Sequence, residues 1–204
     1  MKKHFLLCSM LLATMFVSAQ QDSVIYETVE FNSKNWMVRN LDVATYRNGD
    51  TVPEARTAQA WQQCAEEKKG CWCYYNNDPK GAATYGKLYN WFAVSDERGL
   101  APAGFHVPSR REFDELSVDL YDMKQDRFVA LIAGGVTELN LPLPGWRLEN
   151  GQFDSRDSSG CYWASTKGFG INSGSCLRLI GSVKKTYLDY KFRTLGFAVR
   201  CIED

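Results

Sequence analysis

The chain has 204 residues, of which 45% are hydrophobic and 13% aromatic, enough for one compact domain with a sizeable core and too apolar for a disordered or low-complexity segment. Its 24 Lys and Arg are balanced by 24 Asp and Glu. Without a basic excess to neutralise a phosphate backbone, no nucleic-acid partner is expected.

Taken in chain order, the first signal is a leader. Lys2 and Lys3 precede a thirteen-residue apolar run, Phe5 to Val17, and Val17-Ser18-Ala19 has the small-residue spacing read by signal peptidase. Residues 1–19 are therefore expected to form a signal peptide cleaved after Ala19, which leaves a mature chain with a slight acidic excess. As a helix the run is about 20 Å long, against a hydrocarbon core of about 30 Å, and no later stretch is more hydrophobic, so no membrane span is expected. Cys8 follows Leu7 rather than a small residue, which disfavours lipid anchoring. The chain is expected to be exported to the periplasm, the outer surface or the medium. It closes three residues after Cys201, so no separate sorting domain is expected.

Residues 24–204 read as a single domain, with no internal repeat and no linker. Val24 to Val29 and Asn35 to Val43 read as short strands with a turn at Asn32-Ser33. Asn48-Gly49-Asp50 marks a turn, Trp72 to Tyr75 a strand broken by Asn76-Asn77-Asp78-Pro79, and Leu88 to Val94 a short helix. Pro108-Ser109-Arg110-Arg111-Glu112 forms a capping box that opens a helix over residues 110–121, with Phe113, Leu116 and Leu120 along its buried stripe. Beyond it the chain reads as short β segments between Gly- and Asn-rich turns. The last element, Gly196 to Ile202, places Phe197, Val199 and Cys201 in alternation with Ala198 and Arg200. The pattern predicts an α+β domain.

Export sets the reading of the cysteines. Six follow the leader, Cys64, Cys71, Cys73, Cys161, Cys176 and Cys201, and an oxidising compartment favours pairing, so three disulfides are expected. Sequence does not decide the connectivity, although Cys161 and Cys176 bracket a Gly/Ser-rich stretch suited to a loop staple. Zinc held by Cys64, Cys71, Cys73 and a distant thiolate is the alternative. Cys71-Trp72-Cys73 lacks the usual two-to-four-residue spacing of a zinc arm, and equally the C-x-x-C spacing of a redox pair.

Several segments together carry a family pattern: Asn35 to Leu41, Thr45 to Asp50, Cys73 to Asp78, Tyr85 to Trp91, Gly104 to Ser109, Tyr162 to Thr166 and Gly196 to Cys201. In this order they resemble the Fibrobacter succinogenes major paralogous domain, a family of exported proteins in Fibrobacter and Bacteroidota. The resemblance covers nearly the whole mature chain and implies an envelope or secreted protein of a Gram-negative bacterium. A more distant similarity, a proline-capped helix followed far downstream by a terminal G-F-x-x-R-C strand, links it to the formylglycine-generating-enzyme branch of the C-type-lectin-like fold. That similarity implies a C-type-lectin-like α+β architecture. The enzyme branch binds copper through a close cysteine pair just before its terminal strand. Here Leu177 to Ala198 contains no cysteine, which argues against a thiol oxidase. The family often has a cysteine where this chain has Ala101 before Pro102, so the partner of Cys201 stays open.

Among chemistry-bearing residues, His106 is the lone histidine after the leader and is expected to brace the entry to the capped helix rather than act as a general base. Glu149, Asp154 and Asp157 sit in a turn-rich stretch where solvated carboxylates are the plain reading. No calcium loop is present, and Glu149-Asn150 reads as a turn. Trp36, Trp91 and Trp163 look like framework. Trp146, Tyr187 and Tyr190 fall among charged or turn residues where exposed aromatics stack on sugars or anchor proteins. Alternation in Lys184 to Lys191 puts Lys185, Tyr187, Asp189 and Lys191 on one side of a strand and Tyr190 on the other. The expectation is a non-catalytic module without metal or cofactor that presents Trp146, Arg147, Glu149, Asn150, Asp154, Lys185, Tyr187 and Tyr190 to a glycan or envelope protein. The alternatives are a thiol oxidase of formylglycine-generating type and a purely structural envelope component.

Overall fold

The computed structural model describes residues 25–204; the leader, its cleavage point and Cys8 lie outside the described residues. Strand β1 (Thr28–Phe31) pairs antiparallel with β2 (Lys34–Met37). Asn32 and Ser33 join them with φ of 50° and 60°, the left-handed pair that lets a two-residue loop match strand twist. The turn lies where expected, but β2 stops at Met37 rather than Val43. Beyond that point the main chain bonds singly to remote partners, with Leu41 N donating to Val199 O at 2.8 Å.

Helix α1 (Ala58–Glu66) is an element the sequence reading missed. Its one fully buried side chain is Trp61, so no apolar stripe repeats along it, and Thr57 caps its first turn through Ala60 N at 3.0 Å. Strand β3 (Trp72–Cys73) pairs with β4 (Leu88–Tyr89), and the short helix α2 (Ala82–Tyr85) lies between them. The helix expected from Leu88 is divided: its first two residues are strand, and α3 (Trp91–Val94) begins only after Asn90 caps Ala93 N. Next come β5 (Phe105–His106) and α4 (Arg110–Asp122), whose reciprocal capping box is complete and whose stripe of Phe113, Leu116 and Leu120 is buried as expected. The one-turn α5 (Arg127–Leu131) follows, another element too short to show a period.

The second half is β. Strands β6 (Trp146–Arg147) and β7 (Phe153–Asp154) form a small hairpin, and β8 (Ser159–Lys167), β9 (Ser173–Ile180) and β10 (Lys185–Phe192) form an antiparallel sheet in the order β10-β9-β8. Strand β11 (Ile202–Glu203) returns to the start of the domain and lies between β2 and β5 in the sheet β1-β2-β11-β5. One face of the β8–β10 sheet presents Tyr162, Leu177, Leu179 and Leu188 to the α4 stripe. The other presents Cys161, Trp163 and Cys176 to Phe197 and Val199. Trp36 and Trp163 are at most 2% exposed and Trp91 is buried with them, so all three are framework as expected, and each burial contributes roughly 2–3 kcal/mol.

The expected last element over Gly196 to Ile202 is corrected: regular strand is confined to Ile202–Glu203, with isolated bridges at Gly196, Phe197 and Ala198. Phe197, Ala198, Val199, Arg200 and Cys201 are all buried. The segment threads the interior: Phe197 N donates to Tyr89 O, Ala198 N to Cys161 O, and Met37 N to Cys201 O, at 3.0, 3.1 and 3.0 Å. The alternation itself is kept, with Phe197, Val199 and Cys201 in one core cluster and Ala198 and Ile202 in the other, so both sides are buried. Buried Arg200 is tolerated because its guanidinium donates to Asn40 Oδ1 and to the carbonyls of Met37 and Leu139 at 2.8–3.0 Å.

The expectation of three disulfides is also revised. All six described cysteines are thiols, and they do not sort into three pairs. Cys64 packs against the buried cluster that contains Cys71, and Cys161 and Cys176 share the other cluster. Cys73 and Cys201 are buried in separate clusters. Among the described residues no group of three or more His, Cys, Asp or Glu is placed to hold a metal, and no helix is long and apolar enough to cross a membrane.

Candidate functional site

The register of the β8–β10 sheet builds a site from side chains that are distant in sequence. Cys161 pairs with Arg178, and Arg178 with Tyr187, so these three form a row across one face; Trp163, Cys176 and Asp189 form the next row. Lys191 lies two residues beyond Asp189 on the same side. The hairpin β6–β7 leans over this face, fastened by reciprocal bonds between Arg147 and Gly196 at 3.0 and 2.9 Å. Gly196 has no side chain because a Cβ there would stand 2.9 Å from the Trp61 ring. The result is a cleft of about 170 Å³ lined by Trp146, Cys161, Arg178, Lys191, Leu195 and Phe197.

The cleft is electropositive at its rim. Lys191 Nζ meets Asp189 Oδ2 at 2.6 Å, whereas the Arg178 guanidinium stands 3.8 Å from the same carboxylate, too far for a hydrogen bond. Burial opposes ionisation of Asp189, but the hydrogen bond from Lys191, with the Arg178 charge, outweighs it and holds the carboxyl below the usual carboxylate range. One carboxylate thus faces two cations, each with its side chain about a third exposed. A half-buried indole beside a fork of uncommitted N–H donors can stack on a flat ring and grip an anionic or hydroxyl-rich group.

The expected site residues divide. Trp146 lines the cleft, and exposed Tyr187 continues the Cys161–Arg178 row. Lys185 is exposed on the same side of β10, and Asp154, also exposed, stands opposite Trp146 in the hairpin. Tyr190 lies on the other face, where Arg110 packs 4.5 Å from its ring centroid and Phe169 meets it edge-on; it is no part of the cleft, as the alternation predicts. Arg147 is corrected outright: it is 1% exposed, donates to the carbonyls of Ala55, Thr57 and Gly151, and lies 4.8 Å from the Trp61 ring centroid. Glu149 and Asn150 occupy the hairpin turn, where Glu149 accepts from Thr194 Oγ1 and Asn150 from Gln152 N. Of the six lining residues the sequence reading named only Trp146 for binding and missed Cys161, Arg178, Lys191, Leu195 and Phe197. Alternation in Ser173 to Ile180 carries a signal for Arg178, since it puts the arginine on the side of Cys176.

His106 forms a second, smaller cluster. Its Nε2 lies 3.0 Å from Glu112 Oε1 and its Nδ1 2.8 Å from Asp204 Oδ1. Partial burial disfavours the charged ring, but the hydrogen bonds to Glu112 and Asp204 outweigh it and raise the pKa. The Glu112 carboxyl is held down to about 2: burial works against this, and the Ser109 amide and His106 prevail. With both ring nitrogens engaged, His106 joins the capped helix to the C-terminal strand, the bracing role expected of it.

With this geometry in place, the sequence matches the family described as Fibrobacter succinogenes major domain over residues 29–203. The chain belongs to this family. No curated protein and no solved structure matches it. The match of the Fibrobacter succinogenes major domain begins in β1 and ends in β11, two strands of one sheet, so the family unit and the folded unit have the same limits.

Proposed function

We propose that this Fibrobacter succinogenes major domain is an exported, non-catalytic recognition module that holds a glycan or an envelope protein in the cleft beneath Trp146. The frame is proposed to be C-type-lectin-like and braced by disulfides. The observation that carries the reading is the Arg178 guanidinium, on the rim beside a half-buried indole with no carboxylate at hydrogen-bonding distance. Two cations sharing one carboxylate favour a ligand bearing an acidic group. The meeting of N- and C-terminal strands in one sheet supports the lectin-like frame.

The test is an array of acidic and neutral glycans, run beside pull-down of purified envelope proteins. Binding is expected to favour acidic ligands and to fall on Trp146→Ala, Tyr187→Ala and Arg178→Ala while the thermal midpoint holds. No binding to any of these would leave a structural envelope component. A second reading, a thiol oxidase of formylglycine-generating type, draws on one observation: Cys161 lines the cleft and stands diagonally across the β8–β9 ladder from Cys176. Copper bound together with two free thiols in the exported protein would favour it.

A further inference from the structure

Four of the six described cysteines meet in two pairs whose surroundings differ. Cys64 sits in the last turns of α1 and Cys71 just ahead of β3, with the intervening turn closed by Lys69 N donating to Cys64 O at 2.9 Å. Cys64 is part-exposed whereas Cys71 is fully buried, where the Asn90 amide donates to its sulfur at 3.2 Å. Cys161 and Cys176 stand diagonally across the β8–β9 ladder, on one face, and both are buried, at 2% and 0% exposure. On one face of an antiparallel ladder such a diagonal pair is a pair of neighbours, which a disulfide links by drawing the two strands together.

The two remaining cysteines have no such partner. Both are 0% exposed and lie in different clusters, Cys73 in one and Cys201 in the other.

We infer that the mature protein carries two disulfides, Cys64–Cys71 and Cys161–Cys176, with Cys73 and Cys201 left as buried thiols, and that Cys64–Cys71 is the bridge open to thiol exchange. The inference rests on the proposed export, which supplies an oxidising compartment. In forming each bridge, two thiols give up two protons and two electrons to a disulfide oxidant, which becomes a dithiol. In exchange, an incoming thiolate attacks the part-exposed sulfur of Cys64. A mixed disulfide forms there, the Cys64–Cys71 bond breaks, and its electron pair leaves on Cys71 sulfur, which keeps the Asn90 hydrogen bond and takes up a proton in place of the one the attacking thiol lost to solvent. The approach to the second bridge is narrower, since Cys161 at the cleft wall is 2% exposed and Cys176 0%, whereas Cys64 is part-exposed.

The test alkylates the purified mature chain in denaturant without reductant, before and after oxidation by glutathione disulfide, and maps linked peptides by mass spectrometry. Expected are alkyl groups on Cys73 and Cys201 alone, and bridges 64–71 and 161–176. Under graded dithiothreitol on the folded protein, Cys64–Cys71 is expected to open at least about tenfold faster. A bridge to Cys73 or Cys201, six alkylated cysteines after oxidation, or earlier opening of Cys161–Cys176 would overturn the inference. If protein recovered from cells is fully reduced while the glutathione-oxidised chain shows both bridges, the pairing stands and the export reading fails.

Discussion

Three arginines sit within or beside the same β framework and do different work. Arg147 and Arg200 are 1% exposed and donate to main-chain carbonyls in loops or at a strand end, Ala55, Thr57 and Gly151 for one and Met37, where β2 stops, and Leu139 for the other. Arg178 extends from the middle of a fully paired strand to a cleft rim, where its main chain is already satisfied and its side chain is left over. The contrast shows what an arginine is for in a fold with many irregular loops. Where backbone acceptors are orphaned, the guanidinium completes the architecture; where the ladder satisfies them, it is available to a ligand.

The largest test of this contrast is Arg147→Ala. It removes the donors of three carbonyls at once and should cost at least about 3 kcal/mol in urea denaturation, since each buried unsatisfied group costs about 1–3 kcal/mol; a loss under about 1 kcal/mol would break the comparison. Arg178→Ala should shift stability by no more than about 0.5 kcal/mol and reduce affinity for an acidic ligand by about tenfold or more, read by calorimetry. Ser109→Ala removes the helix cap and should cost about 1 kcal/mol, checked by the thermal midpoint.

The smallest effect is a pH dependence at His106, whose ring nitrogens are committed as fully as the donors of Arg147. Its folded pKa is raised above 6.5, so its contribution is complete below that value and is lost as pH rises through the folded pKa. Glu112 has the opposite sign: its carboxyl is held near 2 against an ordinary 4.5, so its contribution is present above 4.5 and lost as pH falls toward 2. With the imidazole more than a third exposed, screening keeps the His106 effect below about 1 kcal/mol. His106→Gln should flatten the alkaline limb of the urea midpoint against pH and leave most of the acid limb.

How far the sequence carried depends on whether a residue's role is set locally. The Asn32-Ser33 turn, the Ser109–Glu112 capping box and the sides of β10 are decided within a few residues, and the structure has them as read. The terminal segment and Arg147 were misread because their partners lie far along the chain, at Tyr89, Cys161, Met37 and Ala55. An arginine in a turn-rich stretch looks solvated until the carbonyls it serves are known. The cleft was half legible: the hairpin aromatics carried a signal, whereas Arg178 became a candidate only once the β8–β9–β10 register was fixed.

The interior passage of Phe197 to Cys201 has a consequence for the order of assembly. Leu41, Tyr89 and Cys161 each wait for a hydrogen-bond partner from this last stretch, and β2 and β5 are joined in one sheet only through β11. The sheet that joins the two ends of the domain therefore closes only once residues 25–203 are all present, and contacts of such long sequence separation slow folding.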